Sequence, residues 1–139
     1  MLLGLLGNEI SDAAAAQYLW PTVLPHGLVI VAQGTGADAT GFELRLVDPS
    51  GGQFNTTVLG GPARVTPPAH AQQSVTIRGH AGVAFTTGAG YSLYWIEGSW
   101  PYQISGGLGL DEALQLANGL EALPLDDWRQ RTMELPASP

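Results

Sequence analysis

The sequence predicts an α+β fold: an antiparallel sheet of about six or seven strands, with an N-terminal helix and a C-terminal helix packed on one face. Three observations carry this expectation. Between Gly27 and Ser105, short β-branched and aromatic runs alternate with glycine, proline and aspartate turn signals at hairpin spacing. From Leu110 onward, apolar residues recur at a period close to the helical repeat. Residues 8–19 (NEISDAAAAQYL) carry four consecutive alanines, the strongest helix formers.

The elements follow in chain order. Residues 1–7 (MLLGLLG) are apolar, too short to span a bilayer and without the basic flank of a signal peptide. They read as an apolar N-terminal arm or the first turn of a helix, or as the remnant of a longer apolar segment. In residues 8–19, Asn8 or Ser11 can cap the helix start, and Ile10, Ala13, Ala14, Gln17 and Tyr18 fall at helical spacing. Pro21 stops the helix, because a proline pushes the residue before it out of helical geometry.

Residues 27–33 (GLVIVAQ) read as a strand. Residues 41–47 (GFELRLV) alternate, with Phe42, Leu44 and Leu46 opposite Glu43 and Arg45. A turn over residues 48–52 (DPSGG) leads into a strand at 53–59. Gly60-Gly61-Pro62 and then Thr66-Pro67-Pro68 mark a loop containing His70. Strands at 74–79, 81–86, 91–97 and 100–105 follow, the last two joined by Gly98-Ser99, and together the runs imply a meander.

The helix over residues 110–123 presents Leu110, Ala113, Leu114, Ala117, Leu120 and Leu123 as one stripe. Asp111 and Glu112 suit its positive end, and Gly109 takes the cap position. Gly119 inside it costs about 1 kcal/mol against alanine, which marks close packing on the sheet. Pro124 ends the helix. Residues 125–135 add a turn or two that docks Trp128, and residues 136–139 fray. The organisation expected is a single domain over 1–139, with an arm at 1–7, a core at 8–123 and a tail at 124–139.

Composition narrows the chemistry. The 139 residues include 19 glycines and 10 prolines, yet 45% are hydrophobic, enough for a core. All five cations are arginines, and twelve carboxylates bring the net charge to −7, so nucleic acid is not an expected partner. Residues 97–139 hold seven of those acids against two arginines, which concentrates the negative charge late in the chain. Zero cysteines exclude disulfides, thiolate catalysis and thiolate metal sites.

No constellation points to catalysis, a metal or a cofactor. His26, His70 and His80 are far apart in sequence and read as loop or surface histidines. No serine has the nucleophile-elbow spacing. Asp111–Glu112 and Asp126–Asp127 are neighbours that a helix turns apart. Gly34-Thr35-Gly36 leads to a strand, not to a helix that would bind phosphate. The stretch 91–102 (YSLYWIEGSWPY) concentrates aromatic residues; its strand at 91–97, with Tyr91, Leu93 and Trp95 opposite Tyr94 and Ile96, reads as central and covered on parts of both faces. Its rings read first as core. The alternative is an exposed platform of Trp95, Trp100 and Tyr102 binding a sugar or peptide, with Trp100 beside Pro101 at a turn. A pocket between sheet and helix is a further variant.

The opening SDAAAAQYLWPTVLPHGLVIV and the closing GYSLYWIEGSWPYQISGGLGLDEALQLANGL resemble a bacterial domain of unknown function. That domain occurs in the extracytoplasmic parts of anti-sigma-factor-like membrane proteins and of proteins similar to outer-membrane lipoprotein-sorting factors. The closing block is distinctive, with Tyr94-Trp95, the aromatic strand from Tyr102 to Ser105 and the leucine-rich helix. Gly109 departs from the serine or threonine that the family tends to have at the helix cap. The membrane anchor and cytoplasmic region of the family are missing, which makes the chain a soluble relative or an excised domain. The resemblance implies a noncatalytic sensory or ligand-binding domain in the cell envelope, from a parent protein that is membrane-anchored. Its expected partner is a protein or an apolar small molecule. The alternatives are a carbohydrate- or peptide-binding module and a homodimerisation domain.

Overall fold

The computed structural model describes residues 17–70, 72–87 and 90–135. Its main layer is a seven-stranded sheet of β2 (Val29–Asp38), β3 (Gly41–Val47), β4 (Thr56–Gly60), β5 (Gln73–Ile77), β6 (His80–Thr87), β7 (Gly90–Glu97) and β8 (Trp100–Gly106). The spatial order is β2-β3-β4-β8-β7-β6-β5, and every neighbouring pair is antiparallel. A simple meander would end at β8. Instead the proline-bearing segment 61–72, too long for a hairpin turn, carries the chain to the far side of the sheet. The hairpin β5–β6 therefore forms one end of the sheet, and β8 sits in its middle.

The second layer holds a two-stranded ribbon, β1 (Tyr18–Pro21) paired with β9 (Leu120–Leu123), and the helices α1 (Leu110–Asn118) and α2 (Leu125–Met133). Among the described residues both α-helices lie toward the C-terminal end, in contrast to the expected packing of an N-terminal helix on the sheet. Residues 8–16 of that expectation lie outside the described residues, and Tyr18 and Leu19 are strand. Tyr18, Leu19 and Trp20 are bulky side chains, all buried, and the ribbon register Tyr18↔Leu123 to Pro21↔Leu120 seats them over the sheet.

The helix expected to run to Leu123 stops at Asn118. Gly119 caps it, and a Cβ there would approach Val23 Cγ2 to 2.8 Å, so the tight contact is with the exit of β1. Freed of the helix, residues 120–123 pair with β1. Gln53 and Phe54 stay in the turn because the Asp48 carboxylate accepts hydrogen bonds from the Ser50 and Phe54 amides, at 2.9 and 3.2 Å. Arg78 and Gly79 are also turn: both have positive φ, 52° and 80°, the geometry of a two-residue hairpin.

The core lies between the layers. Phe42, Leu44, Val58, Ile104, Tyr102, Leu93, Trp95, Ala84 and Ile77 project from the sheet's inner face, and Ala113, Leu116 and Ala117 of α1 pack against it. Trp128 of α2, in the segment expected as a tail, is fully buried. It packs edge-on to Trp20 at 5.5 Å between ring centroids and donates its Nε1–H to the Leu19 carbonyl at 2.9 Å.

Candidate recognition site

Alternation along β7 decides which aromatic rings meet solvent. Leu93, Trp95 and Glu97 face inward, whereas Tyr94 and Ile96 face outward. Trp95, Trp100 and Tyr102 are only 1%, 9% and 0% exposed, so the exposed-platform arrangement is not what they form. They are core because their strand positions share the face covered by the ribbon and helices. Trp95 and Tyr102 stack with centroids 5.5 Å apart, and Trp100 meets Tyr18 edge-on at 5.3 Å. Burial, aided by the nearby Glu97 carboxylate, pushes the Tyr102 hydroxyl above its ordinary range; it donates to the Gln17 carbonyl at 3.0 Å.

The outer face of the same strands is different. A shallow groove of about 300 Å³ crosses β5, β6 and β7, lined by Ser74, Ala81, Gly82, Val83, Tyr94, Trp95 and Ile96. Its exposed lining is mostly apolar and carries no formal charge. Register explains its shape. Ser74 faces Val83, which faces Tyr94; in the next row Thr76 faces Ala81, beside Ile96. Small residues on β5 and β6 leave a dip beside the larger Val83, Tyr94 and Ile96. Ile96 is 50% exposed, a large aliphatic side chain that the fold itself leaves unburied.

A polar clamp holds the turn end of the β5–β6 hairpin. Arg78 Nε donates to Glu97 Oε2 at 2.6 Å, and the same oxygen accepts from Trp95 Nε1 at 2.8 Å. The Arg78 amide donates to Asn118 Oδ1 at 2.7 Å, and its Nη1 donates to the Leu120 carbonyl. The hairpin is thus tied to the end of α1 and the start of β9. Arg78 was not legible as a site residue, since a single arginine before glycine carries no motif; only the Arg-Gly turn between two apolar runs hints at its place.

The histidines serve separate corners. His80 Nε2 lies 3.8 Å from Glu97 Oε1, and His70 is exposed in the 61–72 segment. His26 pairs with Glu112 of α1 and stacks on Phe54, with rings 3.8 Å apart and 2° from parallel. Beside it, Asp48 accepts from the Ser50 hydroxyl and amide and from the Phe54 amide, which holds its carboxyl below the ordinary range. Among the described residues, no group of three histidine or acidic side chains is arranged to hold a metal ion. Nor is any helix among them long and apolar enough to cross a membrane. Compared with protein-family models, with curated proteins and with solved structures, the chain has no match in any of the three.

Proposed function

We propose that this chain is a noncatalytic recognition domain whose binding surface is the outer-face groove over β5, β6 and β7. The observation that carries this reading is the groove itself: a concave, uncharged, mainly apolar surface with Ile96 half exposed, on the face of the sheet opposite the core. The polar clusters support a binding role over a reaction. The Glu97 carboxylate is engaged by Arg78 and Trp95, and the Asp48 carboxylate by its own turn. The resemblance of the opening and closing stretches adds a setting, an extracytoplasmic sensory module of an anti-sigma-factor-like parent. Neutral or basic partners suit a chain of net charge −7.

Nile red, a neutral apolar dye, tests the groove. Its fluorescence should rise and shift to the blue on titration, and Ile96→Glu together with Val83→Asp should abolish the change while the fold persists by circular dichroism. Unchanged dye binding in the double variant would place the recognition surface elsewhere.

A further inference from the structure

We infer that the groove is one half of a larger site, in which β5 accepts an extended, non-acidic peptide segment of a partner protein as an added strand. This rests on the groove being a recognition surface. It names the partner's chemistry and how it is held.

The backbone of β5 sets the geometry. Ile77 and His80 flank the two-residue turn, so they form the hydrogen-bonded pair next to it. Alternation then turns the backbone groups of Val75 and Gln73 toward β6 and those of Ser74 and Thr76 away from it. Because β5 is last in the sheet order, no strand of the described residues lies on that side. The sequence QSVTI has no charge, no proline and, in register with β6, no bulge, the devices that ordinarily blunt an edge.

Edge and groove meet at the same residue. Ser74 offers its backbone outward and also lines the groove. An added strand would extend both outer-face rows, setting side chains at i and i+2 beside Ser74 and Thr76. From there, a β-branched or aromatic side chain reaches across those small residues toward Val83 and Ala81. Main-chain hydrogen bonds then supply affinity, and the alternate side chains supply selectivity. The clamp from Arg78 to Asn118 closes the edge at one end and limits the segment to about five residues, or roughly 17 Å. A second copy of the chain is the poorer occupant, since it would bring −7 against −7.

The test uses a capped synthetic peptide of alternating valine and threonine with an arginine at each end, and two N-methylated forms of it. Methylation of every second amide blocks strand pairing in one frame and leaves the other frame's amides free. The expected result is saturable binding that one methylated form loses by about tenfold or more and the other retains. Thr76→Pro, at an outward-facing position, should weaken the parent peptide similarly yet leave Nile red bound. Equal binding by all three peptides would overturn strand addition. If Nile red binds but no peptide does, this inference falls and the groove reading stands; if neither binds, both fall. Concentration-dependent dimers that protect the Ser74 and Thr76 amides without peptide would overturn it in favour of a second copy.

Discussion

The two edges of the sheet are built to opposite rules. At one edge, β2 is long and irregular: from Val31 to Gly36 it takes five steps while β3 takes two, from Arg45 to Glu43. The extra residues bend the strand, and Thr35 Oγ1 accepts the Arg45 amide hydrogen at 2.8 Å in place of a ladder bond. Helix α2 lies against β2, and Arg129 Nη2 donates to the Ala37 carbonyl at 3.0 Å. At the other edge, β5 is short, regular and uncharged; Ile77 packs into the core on its inner face, and the clamp at its turn adds a polar fastening. An edge strand exposes backbone groups that invite pairing, and natural sheets usually hide them. Here one edge is bent and fastened by α2, and the other, among the described residues, stands open next to the apolar groove described above. The contrast supports the proposal that the open edge receives a partner's strand.

Variants that attack each edge's support sharpen the contrast. The largest effect belongs to the guarded side. Trp128→Ala empties a fully buried site and frees α2 from β1, and it should cost about 3–5 kcal/mol in urea denaturation. The same variant should raise amide exchange along β2 more than along β5; uniform loosening of both edges would undo the distinction. Next comes the clamp. Arg78→Ala leaves the Glu97 carboxylate, 7% exposed, without its cation and should cost about 3 kcal/mol. That loss should appear as lower protection in β5 and β6, with β2 unaffected.

A smaller effect is expected at the turn. Gly79 has φ of 80°, where any Cβ strains the backbone, although the space around it is open. Gly79→Ala should therefore cost only about 1 kcal/mol, all of it conformational, as thermal melting can measure. The smallest effect concerns pH and lies at neither edge. The Asp48 carboxyl titrates below its ordinary 3.8 in the folded chain, chiefly through hydrogen bonds from Ser50. Its contribution to stability is present above the unfolded value and is lost as pH falls through the folded one. Asp48→Asn should be less stable than the parent at neutral pH, with the difference shrinking below pH 3.8 in acid titrations. A difference that stays constant down to low pH would show that the carboxylate's charge is not what holds the turn.

How far the sequence reveals these features depends on the range of the interaction. Strand alternation is local, so Phe42, Leu44 and Leu46 declare their face, and an antiparallel sheet of about six or seven strands was legible where seven are found. The strand from Tyr91 to Glu97 was legible as one with two apolar faces, but not which face the second layer would cover. That depends on the β1–β9 ribbon, and the ribbon joins residues about a hundred positions apart. For the same reason Leu120 and Leu123 read as the end of a helix: their spacing fits the stripe, and only tertiary pairing with Pro21 and Tyr18 makes them strand. The open edge was hidden by the order of the strands. A meander would have put β8 at the end and buried β5 beside its neighbours, whereas the 61–72 connection reverses the second half of the sheet.

Residue-resolved amide hydrogen exchange on the monomer, with and without the valine–threonine peptide, tests the central claim most directly. In the free protein, the Val75 and Ile77 amides, which face β6, should exchange slowly, and those of Ser74 and Thr76 should exchange fast. Saturating peptide should slow Ser74 and Thr76 by about tenfold or more while leaving Ala37 and the rest of β2 unchanged. Ser74 and Thr76 already protected in the free monomer, or unprotected when the peptide is bound, would contradict an open edge awaiting a strand.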